Sequence, residues 1–240
     1  MEDALIRSAM LLGEEAIGKL KNSRVLLFGV GGVGSFAAEC LARSGVGCVG
    51  LCDNDVVSPS NLNRQLVALH STLGQPKTSV AAQRMRDVNP EIQVIEYPFF
   101  YGADTADQID LTEYDYIIDA IDTVSAKLLL IERAAALNVP IISCMGTGNK
   151  LDPTALCVTD INKTSGCPLA KVMRYELRKR GITSLKVVFS TEPPLKPLFQ
   201  PQDAGGRRAT PGSVPFVPPV AGMIAASEAV KYLVGSVKLK

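Results

Sequence analysis

The chain has 240 residues, and its 25 Lys and Arg offset 24 Asp and Glu to leave a formal charge of +1. That length suits one α/β domain with extensions, and the balanced charge excludes a protein that engages nucleic acid or a membrane surface through its overall field, so any such contact needs a local patch. The opening MEDALIRSAM has no basic segment followed by an apolar one, and the most apolar long stretch, 214–234, is broken by Pro215, Pro218, Pro219, Glu228 and Lys231; both predict a cytoplasmic protein without a membrane span.

Residues 1–22 are expected to be a helical N-terminal segment. An apolar run at 25–30 reads as a buried strand and leads into a glycine turn, with Gly29, Gly31, Gly32 and Gly34 in the order GxGGxG. Val33, Phe36, Ala37, Cys40 and Leu41 follow at the spacing of a helix packed on a sheet. Strand, turn and helix in this order set free N–H groups against an anion. Dehydrogenases, flavoenzymes and adenylating enzymes share that device, so it leaves the nucleotide's chemistry open. A second strand is expected at 46–52, a polar, turn-rich segment at 56–75, a helix at 76–88, strands at 92–97 and 114–121, a helix at 125–138 and a strand at 139–145. The alternation predicts a Rossmann-like, doubly wound, mostly parallel sheet of order 3-2-1-4-5 or a close variant. Beyond Gly146, strands are expected at 155–159 and 185–191 around a basic helix at 168–180. A Pro- and Gly-rich mobile loop or lid at 191–219 and a C-terminal helix at 221–234, able to close the core or mediate a dimer, complete the chain.

Asp53, with Asp55 just beyond it, ends strand two about twenty residues past the glycine turn, where a carboxylate takes ribose hydroxyls or caps a turn. Strand four ends in DAIDT, 119–123, and its tip shares the crevice of the glycine turn. A carboxylate such as Asp122 beside phosphates is repulsive unless a divalent cation lies between, and Mg²⁺ suits that place. The segment SNLNRQ supplies Ser60, Asn61, Asn63, Arg64 and Gln65, and QPK supplies Lys77 at a helix start. A planar guanidinium fork, an ammonium and neutral donors together can surround a triphosphate. That set points to MgATP and to reaction at phosphorus rather than to hydride transfer.

None of the six cysteines, Cys40, Cys48, Cys52, Cys144, Cys157 and Cys167, forms a CxxC pair, so a zinc ribbon is not expected and most should be small buried hydrophobes. The single histidine, His70, offers little to a Ser-His-Asp or multi-His mechanism and is expected on a loop or helix edge.

GxGGxG, DxD, SNLNRQ, QPK and DAIDT in this order resemble the ThiF/MoeB/E1-like adenylating enzymes across roughly residues 5–160. The resemblance implies a single ThiF-type domain over 1–240, ATP held by Gly32 and the glycine turn, Asp53 on the ribose, Asn61, Asn63, Arg64 and Lys77 on the phosphates, and Asp122 on Mg²⁺. Arg7, in IRSAMLLG, is similar to an N-terminal arginine that reaches the neighbouring subunit's phosphates in dimeric members, which implies a homodimer. GEEAIGKLKNSRV, GTGNKLDPT, KTSGCPLAKVMR and LKVVFSTEPP extend the likeness to the branch that acts on threonylcarbamoyladenosine in tRNA. That branch is implied to activate the carboxylate of N6-threonylcarbamoyladenosine (t6A) at position 37 as an acyl-adenylate, which the modification's own side chain displaces with loss of water. Intramolecular attack needs no enzyme nucleophile. The reaction requires an RNA contact, and Lys171, Arg174, Arg178, Lys179, Arg180 and Lys186, against the single acid Glu176, supply either a phosphate-binding patch or a solvated helix face. The alternative is an activator of a sulfur-carrier or ubiquitin-like protein, for which Cys167 in TSGCPLA is the candidate nucleophile. The tail segment GSVPFVPPVAG has no cysteine and offers nothing to a sulfur-relay partner.

Overall fold

The computed structural model describes residues 2–199 and 211–235. Seven strands form one sheet of order β3-β2-β1-β4-β5-β7-β6: β1 (Arg24–Phe28), β2 (Cys48–Cys52), β3 (Gln93–Tyr97), β4 (Tyr116–Asp119), β5 (Ile141–Cys144), β6 (Leu156–Asp160) and β7 (Lys186–Ser190). Every pairing is parallel except that of β6 with β7. The expected 3-2-1-4-5 order is therefore present and is extended by a β7-β6 pair.

The helices are α1 (Glu2–Leu12), α2 (Glu14–Asn22), α3 (Gly34–Arg43), α4 (Lys77–Val88), α5 (Val124–Ala136), α6 (Pro168–Lys179) and α7 (Val217–Val234). The N-terminal segment is two helices rather than one, because Gly13 between them takes φ 89°, a left-handed conformation that ends a helix. Strands buried on both faces need apolar residues at every position, and β1 divides them cleanly. Val25 and Leu27 join α2, α3, α4 and α7 in one core, whereas Leu26 and Phe28 join Leu130 and Ala134 of α5 in the other. Helix α6 packs beyond α5 against β7 through Met173, Leu177 and Val187.

One boundary differs from expectation by more than two residues. Helix α7 begins at Val217, not at residue 221, and takes Pro218 and Pro219 into its first turn. Proline is tolerated there because first-turn N–H groups have no intrahelical partner. The helix closes the core, one of the two roles expected of it: a Cβ at Gly222 would sit 2.0 Å from the Val33 carbonyl oxygen, so the start of α3 and α7 are in backbone contact. The expected loop at 191–219 thus loses its last three residues to α7, and its stretch 200–210 lies outside the described residues. No helix among the described residues is long and apolar enough to cross a membrane.

Candidate active site

The C-terminal ends of β1, β2, β4 and β5 open onto a cavity of about 840 Å³, at the point where the chain switches from building the sheet on one side of β1 to building it on the other. The four glycines there do different things. Gly29 has φ 85°, and a Cβ on it would lie 2.6 Å from the Ala120 carbonyl oxygen; a Cβ on Gly34 would lie 1.7 Å from the Gly29 oxygen. Both serve the turn's own shape. At Gly31 a Cβ would meet nothing nearer than Gln65 Nε2 at 3.9 Å, and Gly32 faces Pro218 Cβ at 3.1 Å. Gly31 therefore keeps room on the cavity side rather than inside the fold. Helix α3 starts without a side-chain cap; Ser35 N donates to the Gly31 carbonyl at 3.0 Å, which leaves the N–H groups just ahead of it to an anion.

Asp53 bridges the end of β2 to the turn: its Oδ2 accepts from Val30 N at 2.6 Å and its Oδ1 from Asp55 N at 2.8 Å. Burial pushes its carboxyl above the ordinary value, against the opposing pull of those two N–H donors and of Lys77. Each oxygen keeps a lone pair for a hydroxyl. The expected phosphate ligand Lys77 is 5% exposed and already paired, its Nζ 2.7 Å from Oδ2 of Asp55, which is 60% exposed at the cavity edge. Asp55 is thus the partner of Lys77, and an anion entering the cavity competes with it. Arg64 is different. Its Nη1 donates to the Ser60 carbonyl at 2.8 Å and to Asn63 Oδ1 at 2.9 Å, and it has no carboxylate partner among the described residues. Burial lowers its pKa with nothing offsetting it.

Asn61 is buried and its Oδ1 accepts from Ser58 N at 3.1 Å, so it closes its own turn as well as lining the cavity. Gln65 lines the cavity with its Oε1 lacking a hydrogen-bond partner among the described residues. Asp122 stands exposed at the rim, and among the described residues its one hydrogen bond is from Thr123 Oγ1 at 3.3 Å. No cluster of three or more His, Cys, Asp or Glu able to hold a metal occurs among the described residues. A single unpaired carboxylate fits Mg²⁺, which takes its remaining ligands from phosphate and water.

The ThiF family profile matches residues 5–240. The chain belongs to the ThiF family. A tRNA threonylcarbamoyladenosine dehydratase of Bacillus subtilis is 44% identical over 243 aligned residues, 98% of this chain and 96% of that protein. The crystal structure of Escherichia coli TcdA, a tRNA N6-threonylcarbamoyladenosine dehydratase, in complex with AMP matches at a TM-score of 0.88 and 35% identity, over 97% of this chain and 94% of that one. The same enzyme in complex with ATP matches at 0.87 and 34%, with the same coverage.

In this ThiF chain four expected residues, Gly34, Ser60, Asn63 and Arg7, stand outside the cavity lining. Gly34 shapes the turn from behind; Ser60 gives its carbonyl to Arg64; and Asn63 donates from Nδ2 to the Ser213 carbonyl at 2.9 Å. Arg7 is exposed on α1 and is not brought to the cavity within the chain. The basic patch is weaker than its count of charges implied. Arg174 is hydrogen-bonded to Thr164, Lys179 and Arg180 are paired with Glu176, Arg180 also with Glu132, and Lys186 with Glu228. Lys171 and Arg178 are exposed and outside these pairs. His70 is exposed in a short turn, and of the six cysteines Cys52, Cys144 and Cys167 line the cavity.

Sequence reasoning missed a buried ion pair. Lys127 Nζ lies 2.8 Å from Asp119 Oδ2, both side chains 0% exposed. Ser143 Oγ donates to that same oxygen at 2.6 Å, Asp119 Oδ1 accepts from Ile121 N at 3.1 Å, and Lys127 Nζ donates to the Ile121 carbonyl at 3.0 Å. The peptide just before Asp122 is therefore clamped from both sides. It missed Lys150 as well, a 3% exposed cation in the cavity wall.

Proposed function

We propose that this chain is an ATP-dependent tRNA threonylcarbamoyladenosine dehydratase, which adenylates the carboxylate of t6A at position 37 of tRNA and releases the cyclic form. The observation that carries the proposal is one crevice joining an uncapped glycine turn with a half-buried Arg64 and an Asp122 that both lack an ionic partner among the described residues. The dehydratase relatives, similar over nearly the whole chain, supply the substrate.

Gly29, Gly31, Gly32 and the start of α3 cradle the phosphates, Arg64 neutralises charge that builds on them, and Lys77 contributes when an anion draws it from Asp55. Asp53 takes the ribose hydroxyls. Asp122 would hold Mg²⁺, which when bound neutralises phosphate oxygens. A carboxylate oxygen of t6A attacks the α-phosphorus as the bond to pyrophosphate breaks. The modification's own side chain then attacks the acyl carbon, AMP departs with that oxygen, and a proton passes to solvent. The second step is intramolecular and needs no enzymic nucleophile.

Residues 1–240 form one ThiF-type unit acting in the cytoplasm. Because Arg7 lies outside its own cavity, its phosphate role requires a second copy, and a homodimer follows. Lys171 and Arg178 provide the tRNA phosphate contacts. Incubation of the protein with t6A-containing tRNA, ATP and Mg²⁺, followed by nucleoside mass spectrometry under mild conditions, should show loss of one water from t6A; an unchanged mass with protein that binds AMP refutes the assignment. Asp122→Asn should abolish most of that conversion. Cys167 in the cavity wall favours the sulfur-carrier activator as a second reading, under which the protein adenylates a C-terminal Gly-Gly peptide and Cys167→Ser blocks transfer alone.

A further inference from the structure

We infer that Lys150 is the cation that receives the substrate's carboxylate, an inference that rests on the dehydratase reading. Lys150 follows β5, is 3% exposed and lines the cavity. Its Nζ donates to the backbone carbonyl of Glu192, while the Glu192 carboxylate is turned to Leu151 N at 3.0 Å and Asp152 N at 3.0 Å. No carboxylate lies within ion-pair distance of Lys150 among the described residues. An ammonium has three donors, and a buried charge is stable only when paired or well hydrogen-bonded; one carbonyl among the described residues leaves this one short of partners.

Its place in the sheet says which anion completes it. Asp53 at β2 takes the ribose and the glycine turn after β1 the phosphates, so the nucleotide covers one side of the switch point. β4 and β5 lie on the other side of β1, where the acyl group must meet the α-phosphorus. A carboxylate approaching a polyphosphate meets like charge, and a fixed cation at its tail offsets that repulsion. The wall is held firmly enough to do so: Asn149 N donates to the Gly212 carbonyl at 2.7 Å, Asn149 Oδ1 accepts from Gly212 N at 2.7 Å, and the Asn149 carbonyl accepts from Leu195 N at 2.7 Å.

The test compares tRNA carrying t6A with the same tRNA carrying unmodified adenosine at that position, bound in the presence of α,β-methylene ATP and Mg²⁺. The wild type should bind the t6A form more tightly. Lys150→Met should abolish that preference and raise KM for t6A-tRNA at least tenfold, with AMP affinity within twofold of wild type; Lys150→Arg should recover part of the preference. If Lys150→Met fails to bind AMP, Lys150→Gln, which keeps a donor for the Glu192 carbonyl, takes its place with the same expectation. An intact preference in the variant overturns the role of Lys150 and leaves the dehydratase reading standing. Failure of the wild type to convert t6A overturns that reading itself.

Discussion

Replacing Lys127 by Met removes the positive half of a pair in which both side chains are 0% exposed and the charges are 2.8 Å apart. Breaking a buried pair by deleting one partner costs roughly 3–5 kcal/mol, because the other charge is stranded. Asp119 keeps Ser143 Oγ at 2.6 Å and Ile121 N at 3.1 Å, which argues for the lower end, about 3 kcal/mol. The Ile121 carbonyl also loses its donor, adding about 1 kcal/mol. A loss near 4 kcal/mol is a large part of the roughly 5–15 kcal/mol that holds a domain folded. Urea unfolding followed by far-UV circular dichroism measures it, with an unchanged slope confirming that the transition itself is the same. Asp119→Leu in the Lys127→Met background should recover most of the loss, since no lone charge remains, giving a coupling of at least about 2 kcal/mol. A single-variant loss under about 1 kcal/mol, or additive effects, would refute the argument that the pair is dry and mutually dependent.

The glycine turn separates shape from binding: Gly34→Ala forces a Cβ within 1.7 Å of the Gly29 oxygen and should fail to fold, whereas Gly31→Ala should fold with wild-type Tm and lose ATP affinity. Calorimetry of the two decides it, and a destabilised Gly31→Ala would overturn the division. On the acid side, burial alone would lift the Glu39 carboxyl, but Arg84 and Arg43 hold it below its ordinary value of 4.5. Its contribution is therefore complete above that value and lost as pH falls through the lowered one, so Glu39→Gln should flatten the decline of Tm in that window; an unchanged decline contradicts this. If Arg7 serves a neighbouring copy, a one-to-one mixture of inactive Arg7→Ala and Asp122→Asn proteins should regain about a quarter of wild-type sites after subunit exchange. No recovery would place Arg7 in its own chain's site or outside catalysis.

Elements with a clear period were legible beforehand: β1, the turn and α3 read straight off the spacing, as did the parallel order around them. The start of α7 was not, because Pro218 and Pro219 resemble loop residues until their first-turn position is known. The pairing of Asp119 with Lys127 went unread because only the return of α5 onto β4 brings them together; the available signal was a lysine in the otherwise apolar run AKLLLI. The pairing of the basic stretch was illegible for the same reason, since Glu132 and Glu228, which pair with Arg180 and Lys186, come from other helices. Lys150 sits in an aperiodic loop, where spacing carries no information about burial.

Helix α7 sets its first turn against Gly32 and its Gly222 against the backbone of Val33. The floor of the glycine turn is thus supplied by a helix that follows every strand of the sheet in the sequence and leaves the ribosome after them. A nascent chain can form β1, the turn and most of the sheet and still lack a finished nucleotide site. Adenylating capacity then arises as a late folding event, and a premature stop anywhere before Val217 yields a protein without it, however much of the sheet survives.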